Sequence, residues 1–178
     1  MTELARRGVI GVTVLGFVST CLSATGVRAD SAPGALADGK ADGVLTVNGK
    51  TTNVAFAYAR SVPGFFDKNV NDVLVIVSDV ALDAKALGDQ FVRNKMADAG
   101  KLHAFEITIN AEGRPISTAW RHNGFKGPTP GGLSTTDVLT KDVFDGKVVD
   151  GRYKSAEPAE FFGNTYAFDV RFRANIGH

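Results

Sequence analysis

Cysteine is all but missing from this chain of 178 residues: there is one, Cys21, in an N-terminal stretch whose pattern marks it for removal. Without it the body of the protein excludes disulfides, thiolate metal sites, cysteine nucleophiles and thiol redox chemistry. A body of about 150 residues can instead be held by its hydrophobic core alone. Histidine is scarce too. His103, His122 and His178 fall into no His-x-His or His-Glu-x-x-His spacing, so no metal centre and no cofactor are expected. Gly-x-Ser-x-Gly, Ser-x-x-Lys and paired-carboxylate patterns are missing, which leaves hydrolase and glycosidase readings without footing. The Gly/Pro-rich stretch 123–134, NGFKGPTPGGLS, is not followed by Gly-Lys-Ser/Thr and is no phosphate loop. There is no surplus of charge. The formal net charge is +1, and removing Glu3, Arg6, Arg7 and Arg28, one acidic and three basic residues, takes it to −1. A near-neutral, mixed surface argues against a nucleic-acid partner.

The N-terminus has the three parts of a secretory signal. Arg6 and Arg7 form a basic start, Gly8 to Ala24 is apolar or small throughout, and Val27-Arg28-Ala29 offers small residues where a signal peptidase reads. A membrane anchor takes about 20 strongly apolar residues, and this run is shorter and full of Gly, Ser and Thr. The pattern predicts a signal peptide over 1–29, cleaved between Ala29 and Asp30. It predicts export to the periplasm or beyond the cell, with no stable membrane insertion afterwards. Arg6-Arg7 follows an Ala, a weak match to a twin-arginine signal, so the export route stays open. A lipid anchor on Cys21 is not expected, because Val18-Ser19-Thr20 puts Thr where a lipobox has Gly or Ala. Residues 30–42, DSAPGALADGKAD, predict a flexible arm, and 43–178 a single β-rich domain.

Alternation of apolar and polar residues, the mark of a strand with one buried face, recurs along that domain. Val44 to Val47 is the first strand, and Asn48-Gly49 is a strong signal for a type I′ hairpin turn. Thr52 to Arg60 follows, with Val54, Phe56 and Tyr58 on one face and Ala55, Ala57 and Ala59 on the other. Small residues on a strand face mark a tightly packed core or a narrow barrel interior. The loop Ser61–Asn71 holds Phe65-Phe66, expected to fold back over a core edge, with an exposed contact point as the alternative. Val73 to Val77 is apolar on both faces, as a strand covered on both sides must be. Leu87, Phe91, Val92, Met96 and Ala99 recur at helical spacing and predict one covering helix near 83–99, capped by Asp83 or Asp79, with a weak point at Gly88 that would split it and make Asp89 a second cap. Further strands are predicted at about Thr135–Val143, Lys147–Lys154, where Gly151 marks a bend or bulge, and Thr165–Ala174. On the last, Tyr166, Phe168, Val170, Phe172 and Ala174 face inward.

The chain is organised around KLHAFEITINAEGRPISTAWRH, residues 101–122, which hold the single Trp and two of the three His. A four-residue turn at Asn110–Gly113 would set Ile107 against Ile116, Phe105 against Thr118 and His103 against Trp120. One face then collects His103, Phe105, Ile107, Ile109, Ile116 and Trp120. The other carries Glu106, Thr108, Ser117 and Arg121. His103, Trp120, His122 and Phe105 are therefore the candidate ligand-binding residues, at the mouth of an apolar interior. The plainer alternative is a Trp and a His packed at a core edge. Glu106 reads as part of a solvated face, or else as the lone buried carboxylate of an isomerase-like barrel.

About eight strands with short turns predict a mainly β domain, an antiparallel eight-stranded barrel or, alternatively, a two-layer sandwich. The expected function is a non-catalytic binding or interaction domain for a small apolar ligand or a protein partner. Two other readings stand beside it. One is a small cofactor-free isomerase or cyclase using His103 or Glu106 as base; the other is a structural envelope component.

Overall fold

The computed structural model describes residues 34–177. The segment 1–29 read as a signal peptide lies outside them, together with Cys21. Strands make up 51% and helices 10%, so the chain is mainly β.

The elements in order are β1 (Lys40–Val47), β2 (Lys50–Asn53), β3 (Phe56–Pro63), β4 (Asn71–Ser78), α1 (Ala84–Gly88), α2 (Gln90–Asp98), β5 (Ala104–Ile109), β6 (Pro115–Arg121), β7 (Val138–Phe144), β8 (Val148–Lys154), β9 (Ala159–Phe161) and β10 (Asn164–Gly177). One sheet carries all the strands, in the order β6-β5-β4-β3-β1-β10-β8-β7, with β2 attached to β1 and β9 to β10. The sheet is antiparallel and curls into a half-barrel. Its single parallel contact sets Ile176 and Gly177 of β10 beside Ala59 and Arg60 of β3. The two ends, β6 and β7, are not laddered together. Gly132 instead runs beside β6, exchanging backbone bonds with Thr118 at 3.2 and 3.3 Å. Lys141 of β7 donates to the carbonyl of Gly113 at 2.6 Å across the same gap.

Alternation sorts the side chains into two apolar clusters. The concave interior holds Leu45, Val47, Val75, Val77, Phe105, Ile107, Ile109, Trp120, Tyr153, Phe168, Val170 and Phe172. Ala57 and Ala59 also face it; their small side chains line the stretch of β3 that the end of β10 approaches. The convex side of β4 carries Ile76, which packs with Leu82, Ala86, Leu102 and Ala104 under the helices. Both faces of β4 are thus covered, which accounts for its unbroken apolar run.

Local chemistry sets the joints. Asn48 and Gly49 take φ of 51° and 75°, the positive values a type I′ turn needs. Asp83 and Asp89 cap α1 and α2 by accepting from the amides of Ala86 and Phe91, so the single helix near 83–99 is two short ones. At Gly151 a Cβ would lie 2.4 Å from the carbonyl oxygen of Thr140. The register slips opposite it, between Lys141 and Val143, so the expected irregularity is a bulge in β7.

Four expectations change. β1 begins at Lys40, inside the segment read as an arm, because Lys40–Asp42 pairs with Arg171–Arg173 and Asp38 accepts from Arg173 at 2.7 Å. The strand predicted over Thr52–Arg60 breaks at Val54 and Ala55, where the chain leaves β1 for β4: the Val54 amide binds the Gly43 carbonyl and that of Ala55 the Ser78 carbonyl. On α2, Phe91 is 67% exposed. The break at Asp89 resets the helical phase and turns Arg93 and Ala97 inward instead. Phe65 and Phe66 do not fold back. They stand 70% and 80% exposed, edge to face at 5.0 Å. Beneath them the loop is tied by Gly64 to Val70, Lys68 to Gly64 and Asp72 to the Phe65 amide.

Candidate functional site

The hairpin register places the predicted site residues. β5 and β6 pair Phe105 with Trp120, Glu106 with Ala119 and Ala104 with Arg121, and a bulge at Ile109 sets that residue against Pro115. From Ala104 to Thr108 the pairing is two residues away from the expected one, so these side chains keep their face but change their partners.

Trp120 and Phe105 are interior residues. Their rings lie 4.9 Å apart, and Trp120 also packs edge-on against Phe125 and Tyr166 at 5.4 and 5.6 Å. Tyr153 stacks beside Phe105, and Phe168 lies tilted against it at 4.4 Å. The aromatic residues fill this part of the barrel.

One step beyond Ala104 and Arg121, His103 and His122 face each other with ring centroids 4.4 Å apart. Both nitrogens of His103 meet oxygen: Nδ1 lies 2.7 Å from Asp79 Oδ2 and Nε2 3.1 Å from Asn123 Oδ1. Nδ1 of His122 accepts the Gly124 amide at 2.9 Å. This fixes the neutral tautomer with its proton on Nε2, 3.5 Å from Thr52 Oγ1. Burial, and secondarily the neighbouring His103, hold the His122 pKa down at about 4. A polar cleft of about 260 Å³ opens beside it, lined by Asn94, Asp98, Arg121, His122 and Thr129. The imidazoles are already committed to protein partners, and no cluster of metal-ligating side chains occurs among the described residues.

Glu106 is neither solvated nor alone. It is buried on the convex face, where Arg93 Nε donates to Oε1 at 2.7 Å and Arg121 Nη2 to Oε2 at 3.0 Å. Arg121 Nε lies 2.9 Å from Oε1 but is not aligned to donate to it. Arg93 Nη1 also reaches the carbonyls of Ala86 and Leu87 at the end of α1, at 2.6 and 3.1 Å. Those last-turn carbonyls have no intrahelical donor, and a guanidinium suits them. With both oxygens held by guanidiniums, Glu106 forms an ion-pair network and offers no free oxygen to a substrate proton.

The convex face also holds a groove that the alternation pattern does not reveal. Its first half is an apolar pocket of about 320 Å³ between α1 and the end of β10, lined by Tyr58, Leu74, Ile76, Leu87 and Ala174, with Arg60 at one side. Its second half is a polar pocket of about 350 Å³ under the junction of the two helices, lined by Arg60, Arg93, Arg121, Glu106, Gln90 and Ser117. Arg60 and Leu74 belong to both. The guanidinium of Arg60 makes one long bond, from Nη1 to the Leu87 carbonyl at 3.3 Å, and its buried Nε meets no acceptor. No carboxylate pairs with it among the described residues. Sequence reading passes over Arg60 because it ends an alanine-rich strand, and over Arg93 because an arginine sits badly in an apolar helical stripe. The one available signal was Glu106 and Arg121 on a shared strand face.

No helix among the described residues is long and apolar enough to cross a membrane. Compared with known proteins, the chain matches no family model, no curated protein and no solved structure.

Proposed function

We propose that this chain is an exported, non-catalytic domain that binds a small ligand with an apolar body. The pocket between α1 and the end of β10 carries the reading. Its volume of about 320 Å³ falls in the range of small-molecule sites, roughly 300–1,000 Å³, and its walls are mostly apolar, as such sites are. The reading differs from the expectation in place: the ligand sits on the convex face, not against Trp120. It is favoured over a cofactor-free enzyme because Glu106, His103 and His122 are each held by neighbouring groups. Export rests on the pattern of residues 1–29. Intact mass of protein purified from its source, starting at Asp30, supports it; retention of Met1 opposes it.

The test of binding is titration with a neutral fluorescent probe, N-phenylnaphthylamine. Saturable binding that Leu87→Trp abolishes, with the thermal midpoint unchanged, supports the reading. Absent binding, or binding that Leu87→Trp leaves intact, defeats it. A second reading, a protein partner, draws on the exposed Phe65–Phe66 tip.

A further inference from the structure

Resting on that reading, the geometry points to an anionic amphiphile as the ligand: an apolar tail in the pocket beside Leu87 and a carboxylate or phosphate head at Arg60. Three observations converge. The two pockets share Arg60 and Leu74, so one elongated molecule can occupy both. The polar half carries Arg60, Arg93 and Arg121 against the single carboxylate of Glu106, a local excess of two positive charges. Arg93 and Arg121 are each ion-paired with Glu106, and Arg93 also donates to the helix end, though Arg121 Nε stays unbonded. Arg60 has one long bond to a carbonyl and no ion pair among the described residues.

A half-buried guanidinium with uncommitted donors at the boundary of an apolar cleft suits the planar fork of a carboxylate or two phosphate oxygens. Glu106 serves the site indirectly. It neutralises part of the charge of Arg93 and Arg121 and holds both in place, which leaves Arg60 as the head receptor. A cationic head would face three guanidiniums, and a neutral alcohol would give up a charge-assisted bond.

The experiment is displacement of N-phenylnaphthylamine from the full mature domain by decanoate, decyl phosphate, decanol and decyltrimethylammonium, with inorganic phosphate as a tail-free arm. Decanoate and decyl phosphate are expected to displace the probe about tenfold more tightly than decanol, a difference that Arg60→Gln removes. Arg60→Lys, which keeps the charge but not the fork, is expected to keep part of it. The substituted side chain is half-buried and its Nε is unbonded, so the fold is expected to persist; circular dichroism and the thermal midpoint check this. Equal displacement by decanol and decanoate, or preference for the cationic head, overturns the head assignment and leaves the apolar pocket standing. Inorganic phosphate binding as tightly as decyl phosphate overturns the tail assignment. If no arm displaces the probe, or no probe binds, the underlying reading fails with it. The carboxylate and phosphate arms decide which head is preferred.

Discussion

Arg93 and Glu106, thirteen positions apart, meet between α2 and the convex face of β5 with Nε donating to Oε1 at 2.7 Å. Arg93 is only 3% and Glu106 5% exposed, so each charge depends mainly on the other and on Arg121 rather than on water. Glu106→Gln leaves two guanidiniums facing a neutral amide and is expected to destabilise the domain by about 3–5 kcal/mol. Urea unfolding measures it, as a lower midpoint at constant slope. Replacing the group by apolar residues, Glu106→Leu with Arg93→Met and Arg121→Met, is expected to recover most of that loss. A cost for Glu106→Gln below about 1 kcal/mol is the value for an exposed pair and would contradict the burial.

Tyr153 is fully buried in the concave interior, and its hydroxyl has no hydrogen-bond partner. Burial, with a smaller push from Asp137, drives its pKa well above the ordinary phenol value. An unsatisfied buried hydroxyl costs about 1–3 kcal/mol. Tyr153→Phe is therefore expected to be neutral or stabilising by about 1 kcal/mol, the reverse of the usual effect at a bonded tyrosine. The thermal midpoint reads it directly, and a fall of several degrees would mean that the hydroxyl is bonded.

His122 sets a pH dependence with a definite sign. Its folded pKa of about 4 lies below the ordinary 6.5, so between those values the unfolded chain binds the proton and the folded one does not. Stability must then rise with pH across that window and be lost as pH falls from 6.5 toward 4. The groups that face it are His103, whose charge adds to the depression, and Asp79, which opposes it. The loss is on the order of 3 kcal/mol at most. His122→Gln, compared with the parent by urea unfolding at several pH values, is expected to flatten the curve between pH 6.5 and 4. Parallel curves would remove His122 as the cause.

Phe65 and Phe66 project from a loop that is tied down without them. Phe65→Ser with Phe66→Ser is expected to leave stability within about 0.5 kcal/mol, as a surface change does. Two buried aromatic residues would instead cost several kcal/mol each. If the tip contacts a protein partner, the double variant loses that contact while its midpoint holds.

The hairpin shows why part of the fold was legible and part was not. Alternation assigns each residue of β5 and β6 to a face, because a slip by one would expose Ile107 and Trp120. A slip by two exposes nothing, and such a slip arises here in two steps, one residue from a turn that sets Ile109 against Pro115 and one from the bulge between Thr108 and Ile109. The candidate site suffered more. Glu106 and Arg121 shared a predicted face, but Arg93 arrives from a helix whose phase depends on the break at Asp89. Arg60 acquires its role from a second pocket wall contributed by α1 and β10.

Composition, alternation and local chemistry by themselves determined a cysteine-free, mainly β domain, the inward row Phe168, Val170 and Phe172, the Asn48-Gly49 turn and the Asp89 helix cap. These are properties that a residue and its near neighbours decide through sterics, hydrogen bonding and burial of one face. Tertiary structure alone decided that the sheet is a half-barrel, that Glu106 is buried between two arginines, that Phe65 and Phe66 face solvent, and that Arg60 joins two pockets. Each of these depends on which distant segment packs against which. That choice is settled by the summed burial and pairing of the whole sheet, a quantity that no stretch of sequence carries alone.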